Sequence, residues 1–316
     1  MLESRRPKFG NPDVMDDFDP ALPGSTDQEL SPKPSSLAFG DQAIETFNAG
    51  GKAPVLILSD HSGCWIPDDL NNLGLPKEEY RRHIGWDIGA TDMTRRLAQK
   101  LDAVAILNHV SRLVIDPNRY PGTPTSIPEV ADGTVIPGNQ ALSDEERKRR
   151  IRLSFIPYHR MIARQIVRIR KRADIPLIIA MHSFTPTMQR EWRPWHAAVL
   201  YGHDDRLARL VLEGLRALDD VCIGDNQPYS GDHPDSYSLQ FHALRTGFPN
   251  VAFEVRQDQV STRETAEAWA DRLHQALQPA LSDPTLYQRW GTWRRLGDVD
   301  CAADADAWNR RRIPAG

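Results

Sequence analysis

The chain has 316 residues, with 39 Lys and Arg against 43 Asp and Glu and a formal net charge of -4. This near-balance gives no electrostatic reason to bind nucleic acid or an anionic membrane, and no apolar run approaches the roughly 20 residues of a membrane span. The first residues lack the apolar segment of a signal peptide, and the three cysteines are far apart, as is typical of free thiols in a reducing compartment. We therefore expect a cytoplasmic protein.

The sequence divides into three parts by composition. Residues 1–40 are rich in Pro, Asp, Ser and Gly without an apolar period, which predicts a flexible N-terminal arm. In residues 41–284, and most clearly from Lys52 onward, apolar runs alternate with amphipathic stretches, the pattern of an α/β sheet domain. Residues 285–316 contain three tryptophans and are interpreted as a C-terminal tail.

Within the domain, strands and helices are predicted in alternation. Continuous apolar runs predict buried strands over residues 53–59, 103–107, 111–115, 175–181, 197–201 and 251–255. Helical spacing of apolar residues predicts helices over residues 88–101, 143–172, 204–218, 236–246 and 261–277. Capping boxes are expected where two of the helices begin, at Ser143 with Glu146 and at Ser261 with Glu264.

Polar residues that could carry chemistry stand at the ends of four predicted strands. The ligand crevice of an α/β sheet lies outside the carboxyl ends of its strands. His61 and His182 each follow a strand and suit a metal held by imidazole nitrogens, and Glu254 suits a general base that acts on water. The turn at residues 116–119 ends in Arg119, which suits capture of a carboxylate. Taken alone, each histidine is more typical of a capping or hydrogen-bonding residue and the segment 116–119 of an ordinary turn, and Glu254 could be half of a salt bridge.

Taken together, the motifs resemble those of the N-formylglutamate amidohydrolase family. The segments that carry the resemblance occur in family order: 59–63 (SDHSG) with Ile66-Pro67, 84–89 (IGWDIG), 111–116 (SRLVID) with Asn118-Arg119, 181–186 (MHSFTP), 194–196 (PWH), 225–230 (DNQPYS) and 253–256 (FEVR). Each segment is weak evidence alone, and the ordered set is specific.

The resemblance implies a fold like that of the zinc carboxypeptidases, with a central mixed, mostly parallel β-sheet flanked by helices on both faces. It also implies a divalent metal, with zinc expected, at the strand ends. Carried over by motif, His61 and His182 are metal ligands and Glu254 is the base. Asn118 and Arg119 match the pair that grips a substrate carboxylate.

One position departs from the carboxypeptidase pattern. Cys64 stands three residues after His61, where those enzymes have a glutamate ligand. Asp87 is the better candidate for a third ligand or for a residue that orients one, and a thiolate from Cys64 stays open. Asp60 is a candidate for orienting a histidine ligand, because ligating histidines usually donate to a carboxylate.

The activity implied by the resemblance is hydrolysis of N-formyl-L-glutamate, a small molecule, to formate and L-glutamate. A second cation is required for the second carboxylate, and the motifs offer four unranked arginines: Arg112, Arg190, Arg193 and Arg256. His196 either contacts the oxyanion or packs beside Trp195. The alternatives are a deacylase or small peptidase acting on another N-acyl amino acid, and a non-catalytic carboxylate-binding homologue.

Overall fold

The computed structural model describes residues 43–233 and 236–290. The predicted arm at 1–40 and the tail beyond residue 290 lie outside the described residues. The strands are β1 (Ile44–Phe47), β2 (Val55–Ser59), β3 (Val104–Asn108), β4 (Val130–Ala131), β5 (Thr134–Val135), β6 (Leu177–Phe184), β7 (Thr187–Met188), β8 (Glu191–Trp192), β9 (Ala197–Leu200), β10 (Ile223–Asp225) and β11 (Asn250–Arg256). The α-helices are α1 (Lys77–Tyr80), α2 (Ala90–Leu101), α3 (Asp144–Arg150), α4 (Ile156–Arg170), α5 (Arg206–Arg216), α6 (Ser238–His242) and α7 (Arg263–Leu281).

Seven of the described strands form one mixed sheet in the order β1-β3-β2-β6-β11-β9-β10. The four central strands β3, β2, β6 and β11 run parallel, whereas β1 pairs with β3 and β9 pairs with β11 in antiparallel fashion. The sheet predicted from the sequence, mixed and mostly parallel, is therefore confirmed. Because the central strands are parallel, their carboxyl ends meet at one edge of the sheet.

Helices cover both faces of the sheet, as predicted. Alternate residues of β2 point to opposite sides, so Val55 and Ile57 join the core beneath α2, α5 and α7, while Leu56 and Leu58 join the core beneath α4. Burial on both faces explains why these strands are continuous runs of Val, Ile and Leu. None of the helices in the described part of the chain combines the length and the apolar character needed to cross a bilayer.

The strand predicted over residues 111–115 is wrong, because this segment is a buried turn. Its apolar residues pack into a separate cluster of loops beside the sheet edge. The turn is held by polar bonds: the backbone N–H of Val114 donates to the carbonyl of Ser111 over 2.9 Å, and the Ser111 hydroxyl donates to the carbonyl of Gly85 over 2.9 Å. An apolar run bounded by turn residues thus fills a loop core here instead of pairing in the sheet.

Several boundaries also differ from the sequence expectations. Strand β6 extends to Phe184, and the long helix predicted from residue 143 is divided by a π-helical turn at Ile151–Phe155. Ser143 caps α3 as expected, but the capping box of α7 is formed by Thr262 and Thr265, one residue later than predicted. The strands β1 and β10 and the two short hairpins β4–β5 and β7–β8 were not predicted.

Candidate active site

The carboxyl edge of the central strands brings four of the predicted site residues together. His61 lies two residues after β2, and His182 and Glu254 are paired neighbours in the parallel strands β6 and β11. Asp87 reaches the same place from the turn before α2, where its backbone N–H donates to the carbonyl of His61 over 3.0 Å. The turn fits tightly because Gly89 has a φ of 81°, and a Cβ there would lie 2.4 Å from the carbonyl of Val260.

His61, Asp87 and His182 form a compact and buried group of potential metal ligands. The Asp87 Oδ2 atom lies 3.2 Å from His61 Nδ1 and 2.9 Å from His182 Nδ1. One potential ligand atom from each residue falls within 4.8 Å of the other two. Ligands placed tetrahedrally at zinc–nitrogen and zinc–oxygen bond lengths of about 2.0–2.1 Å lie roughly 3.3 Å apart. The donor set and its spacing therefore fit a divalent ion such as zinc.

The other ring nitrogen of each histidine faces a second carboxylate. His61 Nε2 lies 2.8 Å from Asp116 Oδ1, and His182 Nε2 lies 3.3 Å from Asp60 Oδ2. Asp60 is fixed in turn by the Ser238 hydroxyl, which donates to its Oδ1 over 2.6 Å. Carboxylates in these positions hold the N–H on Nε2 and direct the lone pair of Nδ1 toward a metal.

Asp60 stands where the sequence suggested an orienting carboxylate, whereas the role of Asp116 was missed. The only signal was its position in the same ordered motif as Arg112 and Arg119, because the contact with His61 spans 55 residues. Burial opposes the ionisation of Asp60, but contact with His182 lowers its pKa to about 2. Burial likewise opposes the ionisation of Asp116, and the charges of His61 and Arg112 hold its pKa well below the usual value.

Arg112 links the two carboxylates that face His61. Its guanidinium donates to Asp87 Oδ1 over 3.2 Å and to Asp116 Oδ2 over 3.0 Å. Burial and Arg112 oppose protonation of His61, but the charges of Asp116 and Asp87 outweigh them and raise the pKa of His61. The carboxylates of the site thus outnumber the one guanidinium among them, as a cation site requires.

Glu254 differs from the other acidic groups of the site. Its side chain is buried, and its Oε2 atom has no hydrogen-bond partner among the described residues. Burial raises the pKa of Glu254 to about 7; the nearby charge of Asp87 adds to the rise, and that of His182 opposes it. A carboxyl group with a pKa near neutrality and an open oxygen is suited to accept and return a proton.

A cleft of about 330 Å³ opens beside these residues. Arg112 and Arg119 line it together with Asp87, Asp116 and several neutral polar side chains. Asn118 is used differently from Arg119: its Oδ1 accepts the backbone N–H groups of Tyr237 and Ser238, each over 3.0 Å. Arg119 thus faces the cleft, and Asn118 ties the turn that carries it to the start of α6.

Two further predicted substrate residues have extensive contacts within the protein. Arg256 pairs with Asp258 and also donates to the carbonyls of Arg193, Pro194 and Trp195. His196 accepts the backbone N–H of Cys222 at its Nδ1 over 2.8 Å. Neither residue lines the cleft. Cys64 is half-buried, and burial raises the pKa of its thiol, which disfavours a thiolate ligand.

A buried cluster of two histidines and acidic groups, with a near-neutral carboxyl group and an adjoining cleft, is typical of hydrolases. The family model for N-formylglutamate amidohydrolase matches residues 53–261. The chain belongs to this family and is a hydrolase that acts on an amide.

Two solved structures are similar to the chain. The chain is 32% identical to the gene product Atu2144 of Agrobacterium tumefaciens, over 76% of this chain and 95% of that one, with a TM-score of 0.72. It shares its fold with the N-formylglutamate amidohydrolase of Ralstonia eutropha JMP134, at 20% identity and a TM-score of 0.55, over 76% of this chain and 97% of that one. A comparison with curated proteins finds none that matches.

Proposed function

We propose that this enzyme is a metal-dependent deformylase that hydrolyses N-formyl-L-glutamate to formate and L-glutamate. The observation that carries the proposal is the buried Oε2 of Glu254, which has no hydrogen-bond partner in the described part of the chain and lies beside the group formed by His61, Asp87 and His182. The family to which the chain belongs and the name of the Ralstonia relative support the choice of substrate.

In this proposal His61, Asp87 and His182 hold the ion, and zinc is the metal that suits two imidazoles and one carboxylate. A divalent ion bound there would polarise the amide carbonyl and would make water more acidic. The protein supplies the orientation, because Asp116 and Asp60 fix the two imidazole rings.

Glu254 acts as the general base and then as the general acid. It takes a proton from the water that attacks the formyl carbon, and it returns a proton to the nitrogen as the C–N bond breaks. A pKa of about 7 suits both transfers, and a cation bound nearby would lower this value and favour the base form.

The cleft residues bind the amino acid part of the substrate. Arg119 lines the cleft and has no carboxylate partner within 4 Å among the described residues, so it is available for the α-carboxylate. Asn118 supports this turn from behind through its bonds to the start of α6.

The test is the release of formate from N-formyl-L-glutamate by zinc-loaded enzyme and by Glu254→Gln. The variant is expected to keep its metal and to lose about 10²-fold or more in kcat, the usual magnitude for a general base. Glu264→Gln, an exposed residue at the start of α7, is the matched control and is expected to behave as wild type. Wild-type turnover in Glu254→Gln would remove this residue from the mechanism, and a wild-type enzyme inactive on all N-acyl amino acids would refute the function.

A further inference from the structure

A substrate with two carboxylates needs two cations. The contacts that each candidate arginine already makes within the protein indicate which of them is available for the second carboxylate. Arg112 already faces the carboxylates of Asp87 and Asp116, at 3.2 Å and 3.0 Å. Arg256 faces Asp258 and is bonded to three backbone carbonyls. Arg256 is therefore bonded within the protein through all three of its guanidinium nitrogens, and the charge of Arg112 is already balanced by two buried carboxylates.

Arg193 is placed differently. Its guanidinium lies over the ring of Tyr229, 5.0 Å from the ring centre, and 5.9 Å from the ring centre of Phe184. Both rings line the cleft, whereas Arg193 itself does not and reaches the cleft through its contact with Tyr229. Within the described residues, no carboxylate lies within 4 Å of Arg193, and its side-chain bonds go to the Tyr229 hydroxyl at 2.9 Å and, at 3.5 Å, to the carbonyl of Thr185.

The Tyr229 hydroxyl extends this cation into the cleft. Its oxygen accepts the N–H of Arg193, so its own proton remains available to a ligand. The ordinary pKa of a tyrosine, about 10, keeps this hydroxyl protonated as a donor at neutral pH. A neutral hydroxyl backed by a guanidinium is a good partner for a carboxylate.

Arg190 is the rival cation on the same hairpin. It is exposed at the turn between β7 and β8, with a φ of 69°, next to Gln189, which lines the cleft. Among the described residues, the Arg190 side chain has no hydrogen bond or ion pair that would direct it toward the cleft. Arg193, by contrast, stands at the base of the hairpin, where its backbone N–H donates to the carbonyl of Pro186 over 2.9 Å. This bond fixes the backbone of Arg193 at the base of the hairpin, whereas the backbone of Arg190 lies at the tip of the hairpin.

We infer that Arg193, together with the Tyr229 hydroxyl, binds the side-chain carboxylate of the substrate and is the residue that distinguishes a charged from a neutral side chain. The inference rests on the proposed function, in which Arg119 takes the α-carboxylate. A substrate with a neutral side chain of the same shape leaves the guanidinium without its ionic partner, so it binds more weakly.

The test compares N-formyl-L-glutamate with N-formyl-L-glutamine, which has the same shape without the charge. Wild type is expected to favour the glutamate compound in kcat/KM by about 10-fold or more, as for a hydrogen bond to a charged group. Arg193→Gln is expected to abolish this preference, chiefly through KM for the glutamate compound, and Arg193→Lys to retain part of it. Arg190→Gln is the matched control and is expected to keep the wild-type preference.

An unchanged preference in Arg193→Gln, or a loss of preference in Arg190→Gln instead, would overturn the inference. Equal kcat/KM for the two compounds in wild type would also overturn the inference, but it would not contradict the proposed hydrolase function. If wild type cleaves neither compound, the proposed function fails, and calorimetry with L-glutamate and L-glutamine then tests the inference alone. Tighter binding of glutamate that disappears in Arg193→Gln would support it, and equal binding of the two amino acids would refute it.

Discussion

Replacing Asp116 with asparagine tests whether the outer carboxylate prepares His61 for metal binding. Asp116 Oδ1 lies 2.8 Å from His61 Nε2, and its Oδ2 accepts a bond from Arg112 over 3.0 Å. Asp116→Asn keeps the shape of the side chain and removes the charge that holds the proton on Nε2. Without it, the proton is free to move to Nδ1, the nitrogen that must be a lone-pair donor to the metal.

The expected loss follows from the position of the carboxylate. Changes to an outer-shell partner of this kind weaken metal binding by about 10–100-fold, which corresponds to about 1.4–2.8 kcal/mol. Asp116 is only 4% exposed, so solvent screens its charge little and the upper part of this range applies. The measurement is the zinc dissociation constant, obtained by competition with a chromophoric chelator at neutral pH.

Asp132→Asn provides the matched control. Asp132 also lines the cleft, but its carboxylate contacts Arg82 and His83 and not His61. This variant is expected to bind zinc as tightly as wild type. Wild-type zinc affinity in Asp116→Asn, in a protein that melts normally without metal, would refute the reasoning about the His61 tautomer.

Two further predictions concern stability. His159 is buried, and burial lowers its pKa to about 4. An unfolded histidine titrates near about 6.5, so between these values the unfolded state binds more protons and stability falls as the pH drops. In urea titrations, His159→Gln should reduce the slope of the free energy of unfolding against pH, and His203→Gln, which changes an exposed histidine, should not. Equal slopes in wild type and both variants would contradict the attribution of this pH dependence to His159. Gly63→Ala would bring a Cβ to 2.6 Å from the carbonyl of His109, in the turn that follows His61. It should lower the free energy of unfolding by about 1–3 kcal/mol. Gly50→Ala, with nothing within 4 Å of the added Cβ, should not, and a Gly63→Ala protein that unfolds like wild type would disprove the tight packing.

The buried centre of the fold was predictable because burial on both faces leaves a clear signature. The runs that became β2, β3, β6 and β11 are continuous in Val, Ile, Leu and Ala, and only central parallel strands need to be apolar on both sides. Their parallel arrangement then fixes which ends meet. The sequence therefore predicted that His61, His182 and Glu254 approach one another, and the structure brings these three residues to one edge of the sheet.

The remaining features depend on partners distant in sequence. The apolar run at residues 111–115 has the composition of a strand, but it packs in a cluster of loops that no local pattern reveals. The contacts of Asp116 with His61 and of Arg193 with Tyr229 join segments that are 55 and 36 residues apart in sequence. An arginine that is free cannot be distinguished by sequence from one that is paired, such as Arg256, because the difference lies in which carboxylates and carbonyls the fold brings near.

Zinc binding by wild type and by the double variant His61→Ala/His182→Ala is the most direct test of the central claim that these residues form a metal centre. Elemental analysis after loading and dialysis should find zinc in wild type at one ion per chain and none in the double variant. His83→Ala, which removes another histidine that lines the cleft, is the control and should keep its zinc. Full zinc occupancy in a folded double variant would contradict the account.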